Sequence, residues 1–283
     1  MVNVLYILLG IVLFYLLLTL GLTYIVQQMP RNPVDDKPDW GTILDTKIPA
    51  IDGKLLEVWR IEPLDGSKGI VVFAHGWGRN RDRMVPRARI FGEWGYTTII
   101  HSARDHGNSS PCRFMNPVRF AEDIEAVLKW IAEPVILYGH SMGAAAAAIV
   151  TSRNSKKIKL LFLEGWYAYP KEALLSLYRW VNPFFGTVFV PLIVFWMNLF
   201  YKNALNTVSP ARLAPEIKMP VMLIHGEKDR RFPVRFAHQL RESFSPERPD
   251  IFVGPGAGHS DSSHTSDYRS AVKSFLERHH ASG

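Results

Sequence analysis

Ser141 lies in Gly139-His140-Ser141-Met142-Gly143, directly after the apolar run Pro134–Tyr138. Gly-x-Ser-x-Gly after a short strand marks a sharp strand-to-helix turn that presents the serine hydroxyl as a nucleophile. Gly139 and Gly143 allow that reversal without a Cβ clash. A hydroxyl attacks poorly unless a base takes its proton and a third group orients the base. Asp229 follows the apolar run Val221–His225 and a short turn, and His259 closes the stretch Gly254–Gly258 behind a second run, Asp250–Val253. The chain order Ser141, Asp229, His259 is one in which such a trio is known to operate. The chemistry implied is acyl transfer, in which negative charge develops on a carbonyl oxygen and fixed N–H donors stabilise it. The run Ile70–Ala74 enters His75-Gly76-Trp77-Gly78, where glycines let the backbone come close to a ligand. The N–H groups of Trp77 and Met142 are therefore the expected oxyanion donors, with His75, Gly76, Gly139, His140 and Gly143 supporting the two turns.

Other residues compete for these roles. His75, at a strand end before a glycine, reads as a structural hydrogen-bonding group rather than a base. Glu164 follows the run Leu160–Leu163 and rivals Asp229 as the acid, but Asp229 fits its loop better. His101, His106 and His225 read as structural or lining residues, and Asp261 and Asp267 as the start of the last helix, where acidic groups favour the helix dipole. Cys112, the single cysteine, excludes an intramolecular disulfide framework and has no surrounding Cys-His pattern. No Cys/His cluster has metal-ligand spacing and no Gly-rich phosphate loop occurs, so no metal and no cofactor are expected.

These residues must be held by a regular scaffold. Apolar runs predict strands near 42–50, 54–61, 69–75, 96–101, 134–139, 158–164, 220–225 and 249–253. Between them, helices are predicted near 82–94, 117–132, 142–153, 233–245 and 265–279. Ala121, Ile124, Leu128 and Ile131 give the second of these one buried face, and Asn116-Pro117 starts it. Five consecutive alanines, 144–148, make a helix slim enough to pack closely on a sheet. Continuous apolar strands alternating with helices predict an α/β chain whose mostly parallel eight-stranded sheet carries helices on both faces.

Four motifs in this order resemble the α/β-hydrolase superfamily over residues 42–280. They are His75-Gly-Trp-Gly78 for the oxyanion loop, Gly139–Gly143 for the nucleophile turn, Gly226–Pro233 for the acid loop and Gly258-His259 for the base loop. Within it, His75–Arg81 and Gly92–Tyr96 resemble bacterial membrane-anchored hydrolases of the monoglyceride-lipase and serine-peptidase-like branch. One stretch departs from the family pattern Asp-x-Arg-Gly-x-Gly-x-Ser. Ser102–Ser109 keeps the Arg, the last Gly and the Ser but lacks the leading Asp and the first Gly. The resemblance implies a core of 42–164 and 216–280 interrupted by a cap at 165–215, and a serine at the turn argues against the branches that use aspartate there.

Val4 to Val26 carries no charge. About 23 residues at about 1.5 Å each give roughly 34 Å, enough to cross a hydrocarbon core of about 30 Å. A cleaved leader would begin with basic residues and end on small ones, and neither occurs, so 4–26 reads as a retained single-pass anchor and 27–41, with Pro30, Pro33 and Pro38, as a linker. Arg31, Lys37 and Lys47 follow the span and no basic residue precedes it, which puts the catalytic domain in the cytoplasm by the positive-inside rule. Trp180 to Tyr201 is also uncharged, but a second crossing would separate Ser141 from Asp229 and His259 across the bilayer. With Pro183, Gly186 and Pro191 breaking it, it reads as an apolar lid that packs over the site or dips into the membrane interface. Net charge is +7, yet the basic clusters at 79–89 and 153–159 have no aromatic interleaving, which argues against nucleic acid and leaves solvated faces or anionic head groups.

The expected function is a membrane-tethered serine hydrolase acting on esters or thioesters of apolar acyl chains, with lipid or another apolar ester as substrate. The alternatives are an amidase or peptidase of the same fold, and a non-catalytic membrane scaffold.

Overall fold

The computed structural model describes residues 2–28, 31–153, 155–244 and 248–280. Residues 29–30 of the expected linker, residues 154 and 246–247 of the expected core, and the expected helix end at 245 lie outside the described residues. The strands are β1 (Thr42–Pro49), β2 (Leu55–Glu62), β3 (Ile70–Ala74), β4 (Thr97–His101), β5 (Val135–His140), β6 (Ile158–Glu164), β7 (Val221–Gly226) and β8 (Asp250–Gly254). The helices are α1 (Val2–Ile25), α2 (Val85–Glu93), α3 (Pro117–Trp130), α4 (Met142–Arg153), α5 (Pro170–Val181) and α6 (Pro183–Val188). They continue with α7 (Val190–Phe200), α8 (Ala204–Thr207), α9 (Pro210–Leu213), α10 (Arg235–Ser243) and α11 (Tyr268–His280). The chain divides into two compact units, one of Pro30–Ala168 with Pro210–Gly283 and one of Met1–Met29 with Tyr169–Ser209.

The larger unit holds one eight-stranded sheet of order β1-β2-β4-β3-β5-β6-β7-β8. The pairs β1–β2 and β2–β4 are antiparallel, and every pair from β4 through β8 is parallel. This is the mostly parallel sheet that the motifs imply. Parallel strands covered on both faces read as unbroken apolar runs. Ile70–Ala74 is accordingly buried at every position, whereas β1, at the sheet edge, is mostly exposed. An aromatic core of Phe73, Phe91, Tyr138, Phe162, Tyr268 and Phe275 fills one side.

Three starts of helices follow local chemistry. Asn116 caps α3 through its side-chain oxygen, which accepts from the N–H groups of Val118 and Arg119. The first turn of the segment expected as 82–94 is instead a 3₁₀ turn at Arg81–Met84, capped by Asn80, and α2 begins only at Val85, with Pro86 in its first turn. The last helix begins at Tyr268, after a separate 3₁₀ turn at Ser262–His264 that ends on an extended Thr265.

The smaller unit contains α1 and α5 to α8. Among the described residues, Asn3–Ile25 is the one helix stretch long and apolar enough to cross a membrane, and Val190–Phe200 is a shorter apolar helix. Pro183 opens α6 and Pro191 lies in the first turn of α7, as chain breakers should. Gly186 breaks nothing, contrary to expectation. It lies inside α6, where a Cβ would come 2.5 Å from the Arg179 nitrogen, so its role is close approach to α5.

Candidate active site

The parallel strands all end on one edge, and the loops beyond their carboxyl ends are where open α/β sheets build sites. β5 ends at the turn carrying Ser141, whose φ is +54°, a left-handed value that costs a non-glycine residue about 1–2 kcal/mol. That strain is held by the neighbours. The Ser141 N–H donates to the Glu164 carbonyl at 2.8 Å, and the Ser141 carbonyl accepts from the N–H groups of Ala144 and Ala145. No room is left for larger residues around it. A Cβ on Gly139 would lie 2.5 Å from the Ala144 Cα, and one on Gly143 would lie 2.2 Å from the Ala74 carbonyl oxygen. α4 therefore sits against the end of β3, with its alanines buried.

The structure brings Ser141, His259 and Asp229 together. The Ser141 hydroxyl is 3.0 Å from His259 Nε2, and His259 Nδ1 is 2.7 Å from Asp229 Oδ2. With Nδ1–H donating to the carboxylate, Nε2 is the free lone pair that faces the hydroxyl. Asp229 is fixed by its loop, since its other oxygen accepts from the N–H groups of Arg231 and Phe232 at 2.9 and 3.0 Å. Burial pushes the Asp229 carboxyl up. The hydrogen bonds from His259 and the Phe232 backbone outweigh that and hold it below its usual range.

Trp77 follows Gly76, whose backbone passes so close that a Cβ there would be 3.0 Å from the Ser141 Cβ. Met142 begins α4, where the first N–H groups have no partner within the helix. The His75 ring is occupied. Its Nδ1 donates to the Gly76 carbonyl at 2.7 Å and its Nε2 accepts from the Ala103 N–H at 2.9 Å. Burial, with His106 close by, holds it well below the ordinary histidine range. His140 donates from Nε2 to the His259 carbonyl at 3.1 Å, so the nucleophile turn grips the base loop. His106 accepts from the Gly78 N–H at 3.1 Å, and His225 donates to the Phe232 carbonyl at 2.6 Å. His101 is buried at the end of β4. Cys112 is a free, buried thiol, and Asp261 and Asp267 precede the 3₁₀ turn and α11.

Glu164 is bound elsewhere. It is fully buried and receives both Arg87 Nε, in a short contact, and Arg87 Nη2 at 2.5 Å, with the Tyr138 hydroxyl at 2.6 Å. Tyr138 in turn meets Tyr268 at 2.9 Å. Burial alone would push the Glu164 carboxyl up, but the Arg87 charge and hydrogen bonds pull it down to about 2. Arg87 also donates from Nη2 to the Ser260 carbonyl at 3.0 Å, next to His259. This network is absent from the sequence reading. Its one visible signal is a glutamate at the end of a buried strand, since a buried carboxylate needs a cationic partner.

Gly165 carries no motif signal in the sequence. It has φ +63°, and a Cβ there would stand 3.1 Å from His259 Cε1. Among the described residues no group of three or more His, Cys, Asp or Glu could hold a metal ion.

The profile of the serine aminopeptidase S33 family matches residues 65–212. That stretch contains Ser141, Trp77 and Met142 and stops short of Asp229 and His259, whose arrangement rests on the geometry above. A putative esterase/lipase of Haemophilus influenzae is 32% identical over 104 residues, 36% of this chain and 36% of that protein. The monoacylglycerol lipase of Mycolicibacterium smegmatis is 23% identical over 239 residues, covering 72% of this chain and 84% of the lipase. In three dimensions an esterase of Pyrococcus furiosus superposes with a TM-score of 0.68 at 22% identity, over 89% of this chain and 98% of the esterase. With the mostly parallel eight-stranded sheet, the serine turn and a family match over more than half its length, the chain belongs to the serine aminopeptidase S33 family of serine hydrolases, as an esterase- and lipase-like α/β-hydrolase.

Proposed function

We propose that the protein is a membrane-tethered serine hydrolase that cleaves carboxylic esters or thioesters of apolar acyl chains. The observation that carries this is the relay Ser141 Oγ to His259 Nε2 at 3.0 Å and His259 Nδ1 to Asp229 Oδ2 at 2.7 Å. Ser141 Oγ attacks the acyl carbonyl while His259 Nε2 takes its proton. The carbonyl oxygen becomes an oxyanion held by the Trp77 and Met142 N–H groups. As the carbon–oxygen or carbon–sulfur bond breaks, the protonated imidazole delivers its proton to the leaving alkoxide or thiolate. Water then attacks the acyl-enzyme with His259 as base, which releases the acid and restores the serine. Asp229 keeps Nδ1 protonated and stabilises the imidazolium, and its depressed pKa keeps it ionised for that purpose.

In this reading the tether is α1, and a cytoplasmic core is supported by Arg31, Lys37 and Lys47 following it, under the positive-inside rule. The apolar substrate follows from the uncharged segment Trp180–Tyr201 and from likeness to a monoacylglycerol lipase. The second reading, an amidase or peptidase, is favoured by the family description as serine aminopeptidase.

The test is hydrolysis of p-nitrophenyl esters from acetate to palmitate, with aminoacyl anilides in parallel. Full-length protein in liposomes is compared with Ser141→Ala. Serine-dependent turnover that rises with chain length supports the proposal. Turnover confined to short esters removes the apolar-chain assignment, and turnover of anilides alone moves the assignment to amides.

A further inference from the structure

From its middle onward the anchor helix carries Tyr15, Thr19 and Thr23 four residues apart, and Gln27 continues the spacing in the turn just past its end. Fourfold spacing puts all four on one stripe of a helix. Thr19 and Thr23 are buried, while most of α1 is exposed. The stripe faces the helices of its own unit. The Tyr15 hydroxyl donates to the Val188 carbonyl, Trp196 Nε1 donates to Thr19 Oγ1 at 3.1 Å, and the Tyr201 hydroxyl donates to Gln27 Oε1. Leu22 and Val26 pack beside these bonds against the cluster of Val190, Ile193, Val194 and Leu205.

The length of this seam fixes a depth. Tyr15 to Gln27 is about 18 Å along a helix rising about 1.5 Å per residue. The candidate span is Asn3–Ile25, so Tyr15 lies one residue past its middle. A hydrocarbon core about 30 Å thick has a leaflet of about 15 Å. If α1 crosses, α7 runs beside it from the bilayer centre, near Val188, to the interface, near Tyr201.

The chemistry of the segment suits that depth. Trp180 to Tyr201 has no charged residue. Phe184, Phe195, Leu199 and Phe200 are each more than half exposed, a cost in water that lipid tails remove. Pro191 in the first turn of α7 has no N–H to give and interrupts the bonding between α6 and α7, and interrupted backbone is tolerated at membrane depth only where protein groups satisfy it. The Tyr15 hydroxyl meets the Val188 carbonyl at this break.

We propose that α6 and α7 are embedded in one leaflet of the bilayer as a re-entrant hairpin docked on the polar stripe of α1. The anchor is then half of an embedded unit rather than a leash. The occupant of the exposed Phe184, Phe195, Leu199 and Phe200 face is acyl chain from phospholipid. This rests on the tethered reading above, since α1 must span, but it is independent of the catalytic assignment.

The test is depth measurement by spin labels on full-length protein in phosphatidylcholine liposomes. In a Cys112→Ser background, single labels are introduced by Val12→Cys, Phe184→Cys, Phe195→Cys, Leu199→Cys and Lys228→Cys. Oxygen partitions into lipid and a nickel chelate into water, so the ratio of their collision rates reports depth. The expected result is lipid-like ratios at 184, 195 and 199, matching 12 and opposite to 228. Water-like ratios at 195 and 199 with a lipid-like ratio at 12 would overturn the hairpin while keeping the tether. A water-like ratio at 12 would overturn both. Shielding of 195 from both reagents would mean that a second copy covers the face, which also overturns the proposal. Ester hydrolysis blocked by Ser141→Ala, measured on the same liposomes, reports the catalytic reading separately.

Discussion

Replacing Arg87 with methionine should be among the most damaging changes outside the three contacting residues. The side chain is 2% exposed and its partner Glu164 is 0% exposed. Its guanidinium makes two bonds to that carboxylate and one to the Ser260 carbonyl. Methionine fills much of the volume but leaves Glu164 buried with only the Tyr138 hydroxyl among its side-chain donors. Removing one member of a buried pair costs about 3–5 kcal/mol, because the remaining charge is uncompensated. At roughly 2–4 °C per kcal/mol for a domain of this size, the melting temperature should fall by roughly 6–20 °C. The sign with pH is also set. In the wild type Glu164 is held at about 2, so its stabilisation is complete above the unfolded carboxylate range. In Arg87→Met burial wins and the folded pKa rises, so stability lost at neutral pH returns as pH falls and Glu164 is protonated. The double variant Arg87→Met/Glu164→Gln leaves neither charge stranded and should melt well above both single variants, since Glu164→Gln alone strands the buried Arg87 guanidinium. The assay is a set of melting curves in detergent at pH 5 and pH 7, with kcat on an ester. kcat should fall in both variants lacking Arg87, because the bond to Ser260 beside His259 is gone in each. A fall of less than 3 °C in the single variant, or a double variant as unstable as the sum of the two singles, would refute the reasoning.

Gly165→Ala should lower kcat by roughly tenfold with little change in KM, since its Cβ must push His259 by a few tenths of an ångström and small misplacements at a reacting group are costly. Its left-handed φ adds about 1–2 kcal/mol of destabilisation, and unchanged kcat would show that the contact with His259 does not constrain the ring. The buried histidines predict acid sensitivity. Burial lowers His101 to about 4 and His140 to about 3, with His75, His106 and His225 lowered as well. Each binds its proton more readily when unfolded, so stability is complete above the unfolded histidine pKa of about 6.5 and is lost as pH falls through the depressed values. His101 and His140 each contribute about 1.4 kcal/mol per pH unit within that window, so melting temperature should drop steeply between pH 6.5 and 4.5 and His101→Gln should soften the slope by about one proton; a flat profile would contradict the assignment of neutral rings.

The core was legible because its strands carry the strongest signal a parallel sheet offers. Ile70–Ala74, Val135–Tyr138 and Val221–Ile224 are unbroken apolar runs, and each lies within a buried strand with ends shifted by only one or two residues. The trio at the site was legible for a related reason. Ser141, Asp229 and His259 follow the parallel strands β5, β7 and β8, so chain order and strand order together bring them to one edge. Long-range polar pairing was not. Arg87 and Glu164 are 77 residues apart, and nothing in the helical pattern of Val85–Glu93 distinguishes Arg87 from a solvated arginine. The 3₁₀ turn before α2 escaped for a smaller reason. Asn80 caps Asp82 directly, which tightens the first turn, and the apolar periodicity cannot see that tightening.

The apolar helix α1 shows how a signal can be present and still be unreadable from composition. A helix that only crosses lipid gains nothing from a tyrosine, two threonines and a glutamine on one stripe, since lipid tails offer them no partner. The two threonines and the glutamine can nevertheless satisfy themselves. Thr19 donates to the Leu16 carbonyl, Thr23 to the Thr19 carbonyl and Gln27 to the Thr23 carbonyl, all within α1 or its last turn. Hydroxyls that bond back to their own helix are common in apolar surroundings, so the stripe alone is no evidence of a partner. What changes the inference is Trp196. An indole N–H has no acceptor capacity and no local bond to fall back on, and in an apolar environment it must find an oxygen on another element. It finds Thr19 Oγ1, whose own proton is already committed to Leu16 and whose lone pair is free to accept. A threonine poised in this way is worth more than a leucine only if a donor approaches from outside the helix. The same holds for Gln27, whose amide donates to Thr23 while its oxygen receives Tyr201. The spacing of the stripe therefore follows from the helices it receives, and α1 carries the information for docking α7 in addition to the hydropathy for crossing a bilayer.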